Sequence, residues 1–142
     1  MGVRREGRVA ALQILYQLDT IEGCGLQFQL PQVIERYFAH LAAEAAPEVR
    51  RFAAALSEGV VEHREALDVL IDKASRNWRV ARMSRVDRNV LRVAAFELRF
   101  LPEVPAGVAI NEAIEIGRRF GSSESRAFIN GVLDRLRRDL CG

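Results

Sequence analysis

The sequence predicts an all-α protein. Three observations carry this: apolar residues recur at spacings of three and four along most of the chain, threonine is scarce with no run of alternating β-branched residues, and the helix breakers are confined to Gly23 to Gly25, Pro31, Pro47, Pro102 to Gly107 and Gly121.

The first helix is expected from about Arg4 to Thr20. Val9, Leu12, Leu15 and Tyr16 form one side, broadened by Ala11, Ile14 and Leu18, and Gly23-Cys24-Gly25 ends it. A second runs from about Pro31 to Ala45, with Val33, Ile34, Tyr37, Phe38 and Leu41 as its stripe; Pro31 suits a first turn. Pro47 opens the third, whose pattern of Val49, Phe52, Leu56 and Val60 continues through Leu67, Leu70 and Ile71 to about Ala74. That stretch reads either as one long helix or as two with a break near His63. Residues 75–83 lose the period and act as a connector.

Ser84 caps a fourth helix, with Asp87 three residues on favouring the same terminus. Val86, Val90, Val93, Ala94, Leu98 and Leu101 follow period 3.6, and Pro102 stops it. A fifth helix covers about 108–120, with Gly121 suited to the C′ position. Ser122 is expected to cap a sixth, which buries Ile129, Val132, Leu133, Leu136 and Leu140. In the fifth and sixth helices Asn111 and Glu112 are read as fixing the helix start or an inter-bundle contact, and Gly131 as allowing close helix packing. The expected organisation is two packed three-helix bundles, residues 1–74 and 84–142 with 75–83 between them, together one compact domain.

The net charge of +2 hides a segregation. Residues 1–18 carry net +2, residues 19–72 net −6, residues 73–99 net +6, and residues 100–142 are balanced. The basic residues are 20 arginines and a single lysine. Arginine's planar fork grips phosphate and stacks on bases, so the segregation suggests a face for a polyanion, though solvated helix faces alone would also produce it. Arg4, Arg5 and Arg8 make a basic strip at a helix N-terminus, where the macrodipole favours acids. Arg76, Arg79, Arg82, Arg85, Arg88 and Arg92 recur every three or four residues; ion pairing with the acidic block is the favoured reading over RNA contact. Phe120 stands at a helix exit beside Arg118-Arg119, which is the composition of a base-stacking platform or of an aromatic packed on the next helix. Glu124 and Phe128 share a helix face, and with Arg118 and Phe120 they are expected to gather at one corner of the hairpin.

Catalytic chemistry finds little material. His40 and His63 are the only histidines, and neither has metal-ligand spacing to another donor. The carboxylate pairs Glu112/Glu115 and Asp68/Asp72 read as helix faces paired with arginine. Cys24 and Cys141 make no disulfide framework. No enzyme activity, metal or cofactor is expected. The longest apolar runs are far short of a membrane span and the start does not suit a signal peptide, so the expected compartment is the cytoplasm.

Several motifs together resemble the NusB family of bacterial transcription antitermination factors: Arg4-Arg5 and Arg8, then residues 11–17 (ALQILYQ), Trp78, residues 86–92 (VDRNVLR) with Glu97-Leu98, Val104-Pro105, residues 108–114 (VAINEAI), Phe120-Gly121 and residues 125–134 (SRAFINGVLD). The resemblance covers nearly the whole length. It implies a non-enzymatic scaffold that binds boxA RNA with a small-subunit ribosomal protein (NusE) and docks, with other Nus factors, on the RNA polymerase elongation complex. By the same resemblance Arg4, Arg5, Arg8, Phe120, Glu124 and Phe128 match RNA-facing positions. Arg92 matches a basic position beside them, and Tyr16 and Asp87 match positions facing the ribosomal protein. Two departures stand out. Glu6-Gly7 interrupts the arginine strip, with Gly7 lowering helicity by about 1 kcal/mol relative to alanine, which leaves open whether the helix start is ordered before RNA binds. Asp87 is shorter than the glutamate frequent in the family. The rival readings are a NusB-like accessory domain of a ribosomal RNA cytosine methyltransferase, against which the absence of a methyl-donor domain before Gly142 argues, and a protein-only interaction module.

Overall fold

A computed structural model describes residues 2–141, and among these the protein is all α-helical apart from one 3₁₀ turn. The helices are α1 (Val3–Gly23), α2 (Leu30–His40), α3 (Pro47–Glu62), α4 (Arg64–Ser75), α5 (Arg85–Phe100), α6 (Ala106–Phe120) and α7 (Ser125–Cys141), with the 3₁₀ turn Val80–Arg82 between α4 and α5. The chain divides into two compact units, residues 1–59 and 60–142, so the division falls inside α3 rather than at the connector 75–83.

The first unit holds α1, α2 and most of α3. Ala10, Ile14 and Leu18 of α1 meet Val33, Tyr37 and Phe38 of α2 and Ala53 of α3, with Ile21, Leu30, Ile34, Ala42 and Ala45 around them. The Tyr37 ring stands edge-on to Phe38, and its hydroxyl donates to the Gln13 side chain, which satisfies a polar tip carried into the core. α2 ends at His40, earlier than the apolar pattern suggests, although Ala42, Ala43 and Ala45 favour helix. The Arg50 guanidinium offers the reason. It donates to the carbonyls of Ala43 (2.7 Å) and Ala45 (3.2 Å) and so satisfies groups that a longer helix would have used internally.

α1 begins at Val3 and runs through Gly7 without interruption. The glycine is there for space: a Cβ at Gly7 would lie 2.6 Å from Cδ2 of Phe52. Its expected loss of helicity is offset by the approach of an aromatic ring that no other residue would permit.

In the second unit α5, α6 and α7 pack on one another as a three-helix bundle, and α4 lies against α5 and α7. Leu67 and Ile71 of α4, Leu91 and Ala95 of α5, Ala109 of α6 and Ile129, Val132, Leu133 and Leu136 of α7 are all essentially inaccessible. The open choice at His63 resolves into two helices. His63 breaks the chain between α3 and α4, and its ring stacks on Phe100 at 4.1 Å between centroids and on Phe96 at 6.2 Å. Ser84 caps α5 as its sequence implies, its Oγ accepting from the amide of Asp87 at 3.0 Å.

The connector is pinned at several points. The Ser75 hydroxyl donates to the Trp78 carbonyl, the Val80 amide donates to Asp72 Oδ1 (2.8 Å), and Arg135 Nε donates to the Ala74 carbonyl (2.6 Å). Val80, at the head of the turn, and Met83, just past it, are buried anchors.

Candidate nucleic-acid interface

Two sets of the sequence-predicted residues fall in different units. In the first unit Arg4 and Arg5 are exposed on the opening turn of α1, whereas Arg8, one turn on, is 4% exposed. Phe52 separates their fates. Its ring receives the Arg4 guanidinium at 4.3 Å and the Arg8 guanidinium at 5.5 Å. One aromatic therefore holds two arginines: Arg4 keeps its exposure, while Arg8 serves as packing.

In the second unit the corner between α6 and α7 carries Arg118, Arg119, Phe120, Glu124 and Phe128. Phe120 is half-buried, and the Arg119 guanidinium lies over its ring at 4.7 Å. The two readings of Phe120, stacking platform or packing residue, merge here: one part of the ring is covered and the rest is open. Arg118 is exposed and paired with Glu115 at 3.0 Å, one turn back on α6. Glu124 is exposed, and Phe128, half-buried, follows one turn later with its amide donating to the Glu124 carbonyl.

The turn itself is tightly bonded. α7 starts at Ser125 rather than just after Ser122. The Ser122 hydroxyl accepts from the Glu124 amide and meets the Glu124 carboxylate at 3.1 Å. The buried Ser125 hydroxyl accepts from the Ser122 amide at 2.9 Å and donates to Asp87 Oδ1 at 2.6 Å. Gly121 is not in the left-handed conformation expected of a C′ glycine; its φ is −96°. It is required by proximity, since a Cβ there would collide with the Ser125 side chain and come within 2.7 Å of the Gly117 carbonyl. Gly131, read as a close-packing residue, is nothing of the kind: a Cβ there would meet only the Arg135 guanidinium, at 3.8 Å. Asn111 and Asn130 instead line an open groove of mixed polarity, about 500 Å³, with Ile114, Glu115, Ser123 and Arg126.

Arg92 does not join either set. It is 8% exposed, and its guanidinium makes a two-point contact with Asp68, Nε to Oδ1 at 2.8 Å and Nη2 to Oδ2 at 3.0 Å, with Nη1 donating to Asn89. A guanidinium so occupied has no free edge for phosphate. This is the ion pairing with the acidic block that the charge pattern favours.

The two residues matched to a protein partner differ in kind. Tyr16 is 40% exposed and lines a groove of about 640 Å³ between α1 and α2, with Leu26, Phe28, Arg36, His40 and Leu41 around it. Its sides are mostly apolar; Leu26 and Leu41 are more than half exposed. Asp87 is half-buried and committed to Ser125. Sequence reasoning missed Phe52, Arg119 and Ser125 as organisers of these corners. For Arg119 the adjacent aromatic was a signal; for Phe52 and Ser125, whose partners lie 38 to 48 positions away in the chain, none was present. Among the described residues no group of three or more His, Cys, Asp or Glu side chains is placed to hold a metal, and no helix is long and apolar enough to cross a membrane.

Comparison with known proteins bears on the same regions. The model of the NusB family matches residues 5–138. The transcription antitermination protein NusB of Myxococcus xanthus is 47% identical over 140 residues, covering 96% of this chain and 95% of the relative. The solved structure of T. maritima NusB superposes with a TM-score of 0.85 at 34% identity, over 96% of this chain and 91% of that one. A chain in the crystal structure of antitermination factors NusB and NusE in complex with dsRNA shares the fold, with a TM-score of 0.85 at 22% identity and 98% of each chain covered. A family model that spans residues 5–138 and a relative 47% identical over 96% of this chain lead to one conclusion: the chain belongs to the NusB family.

Proposed function

We propose that the protein is an RNA-binding transcription antitermination factor. It binds boxA-type RNA together with the small-subunit ribosomal protein NusE, and with other Nus factors it acts on the RNA polymerase elongation complex to promote transcription of ribosomal RNA operons. The observation that carries this reading is the match over 96% of the chain to relatives named for transcription antitermination. It works in the cytoplasm as a scaffold without catalytic chemistry.

RNA is contacted in the first unit by Arg4 and Arg5, through phosphate, and in the second unit by Phe120, Phe128 and Arg119, through base stacking, with Arg118 and Glu124 beside them. Arg8 and Arg92 support these contacts from within through Phe52 and Asp68. The protein partner meets the Tyr16 groove and the start of α5 at Asp87. Joint binding raises RNA affinity because the second contact becomes intramolecular.

A mobility-shift titration with boxA RNA and a scrambled control, with and without purified ribosomal protein, tests this. Binding that prefers boxA and tightens with the partner is expected; equal affinity for both RNAs would refute it. Tyr16→Ala is the cleaner partner-face variant, because Asp87 also holds Ser125. It should weaken capture of the ribosomal protein while leaving the affinity for RNA alone unchanged, and equal loss of both would refute the separation of the two faces.

A further inference from the structure

The connector between α4 and α5 places an unusual set of side chains in water. Trp78 is 56% exposed, although tryptophan is ordinarily well buried. Arg76, Arg79 and Arg82 are also exposed, and among the described residues their side chains have no ion-pair, hydrogen-bond or ring partner. The acidic block that neutralises Arg92 leaves these three unpaired.

The segment is not held this way by slackness. The Trp78 amide donates to the Ser75 carbonyl, the Ser75 hydroxyl donates to the Trp78 carbonyl, the Asp72 carboxylate holds the Val80 amide, and Val80 and Met83 are sunk into the unit as anchors. Arg76 itself sits at φ +58°, a left-handed conformation that a residue with a Cβ rarely adopts. The fold therefore presents the indole and three guanidinium groups on a preset backbone, so little ordering remains to be done on binding.

We propose that residues 76–82 form a second RNA-binding site, specific for single-stranded RNA, in which Trp78 stacks on a base and Arg76, Arg79 and Arg82 neutralise neighbouring phosphates. An indole face accepts any base, and unpaired arginines supply the counterion-releasing contacts. A protein partner is the weaker fit, because residues 76–82 carry three arginines and no carboxylate, a charge pattern suited to a polyanion. The site rests on the proposed RNA-binding function and extends the RNA path beyond the two corners described above.

Trp78 is the sole tryptophan in the protein, so its fluorescence reports on this site alone. The full chain is titrated with single-stranded RNA that carries boxA and extends past it on both sides, following intrinsic emission and the anisotropy of labelled RNA together. Emission should be quenched in step with binding. Trp78→Ala should weaken RNA affinity by roughly fivefold to a hundredfold, with Trp78→Phe recovering part of it. The triple variant Arg76→Ala, Arg79→Ala, Arg82→Ala should flatten the salt dependence by about two units of slope. Its urea midpoint should stay unchanged, since the three side chains have no partners to lose. Emission that stays constant at saturating RNA, with the triple variant binding as tightly as the wild type, overturns the connector site; if Arg4→Ala, Arg5→Ala still loses affinity there, the proposed function survives. A wild-type protein that binds no RNA overturns both. Quenching by the ribosomal protein instead of by RNA overturns the RNA assignment in favour of a protein surface.

Discussion

Single residues in this protein are decided by what stands opposite them. Gly7 is the clearest case, with the Phe52 ring where its side chain would be. Gly7→Ala adds helix propensity but forces the ring aside, and the overpacking should win, lowering stability by about 1–3 kcal/mol by urea denaturation. Arg92 gives a complementary prediction. Removing it leaves Asp68 without its two-point partner beside the core, so Arg92→Ala should destabilise by roughly 2–4 kcal/mol. The folded fraction should bind RNA with wild-type affinity; a specific loss in RNA binding at full folding would return Arg92 to the interface. Arg8 and Arg92 both carried the signature of an RNA contact in sequence, which is a charge at the right place in a motif. Only the partner across the fold, Phe52 or Asp68, separates an arginine for phosphate from one for packing, and no local pattern announces such a partner.

At the scale of elements, the capping and stop signals were legible because they act over three or four residues: Ser84 before α5, Pro102 after it, Pro47 at the head of α3. What was not legible was ended or started by distant groups. α2 stops short of the Ala43 and Ala45 carbonyls that Arg50 takes up, and α7 waits for Ser125. Tyr37 ties α1 to α2 through Gln13, and burial pushes its phenol above the ordinary value of 10.0. A raised folded-state value means stability is complete below the unfolded tyrosine range and is lost as pH climbs beyond it. The urea midpoint of the wild type should therefore fall more steeply above about pH 10 than that of Tyr37→Phe. Parallel curves for the two proteins would show that the phenol does not titrate with unfolding.

For the molecule as a whole, the charge segregation read from sequence has two outcomes. Part of the basic block is spent internally, as at Arg92, and part faces water, as at Arg76, Arg79 and Arg82. Affinity for RNA should accordingly fall steeply with salt, but with a slope well short of one phosphate per arginine in the chain. Replacing Arg4 and Arg5 by alanine should lower that slope by about 0.7 for each phosphate no longer neutralised, measured by anisotropy across a salt series. Unchanged slope would place the N-terminal strip outside the RNA path. All-α class, helix order and family were legible because they depend on period and on short motifs. The composition of each corner was legible only in part: Arg119 stands beside its aromatic in the sequence, whereas Phe52 and Ser125 act through contacts made only on folding.

The hydrogen bond from Ser125 to Asp87 joins positions 38 apart in the chain. Considered in time rather than space, such a bond must wait until the intervening chain has closed on itself, which is slow to be rewarded on the way to the native state. It should form among the last events of folding and break among the first of unfolding. Ser125→Ala should thus accelerate unfolding while leaving the refolding rate nearly untouched in stopped-flow denaturant jumps, and a slowed refolding limb would place the bond in the nucleus instead. The consequence reaches past folding. The turn between α6 and α7 should open early for all its hydrogen bonds, and its amides should exchange with solvent ahead of those in the middle of α5.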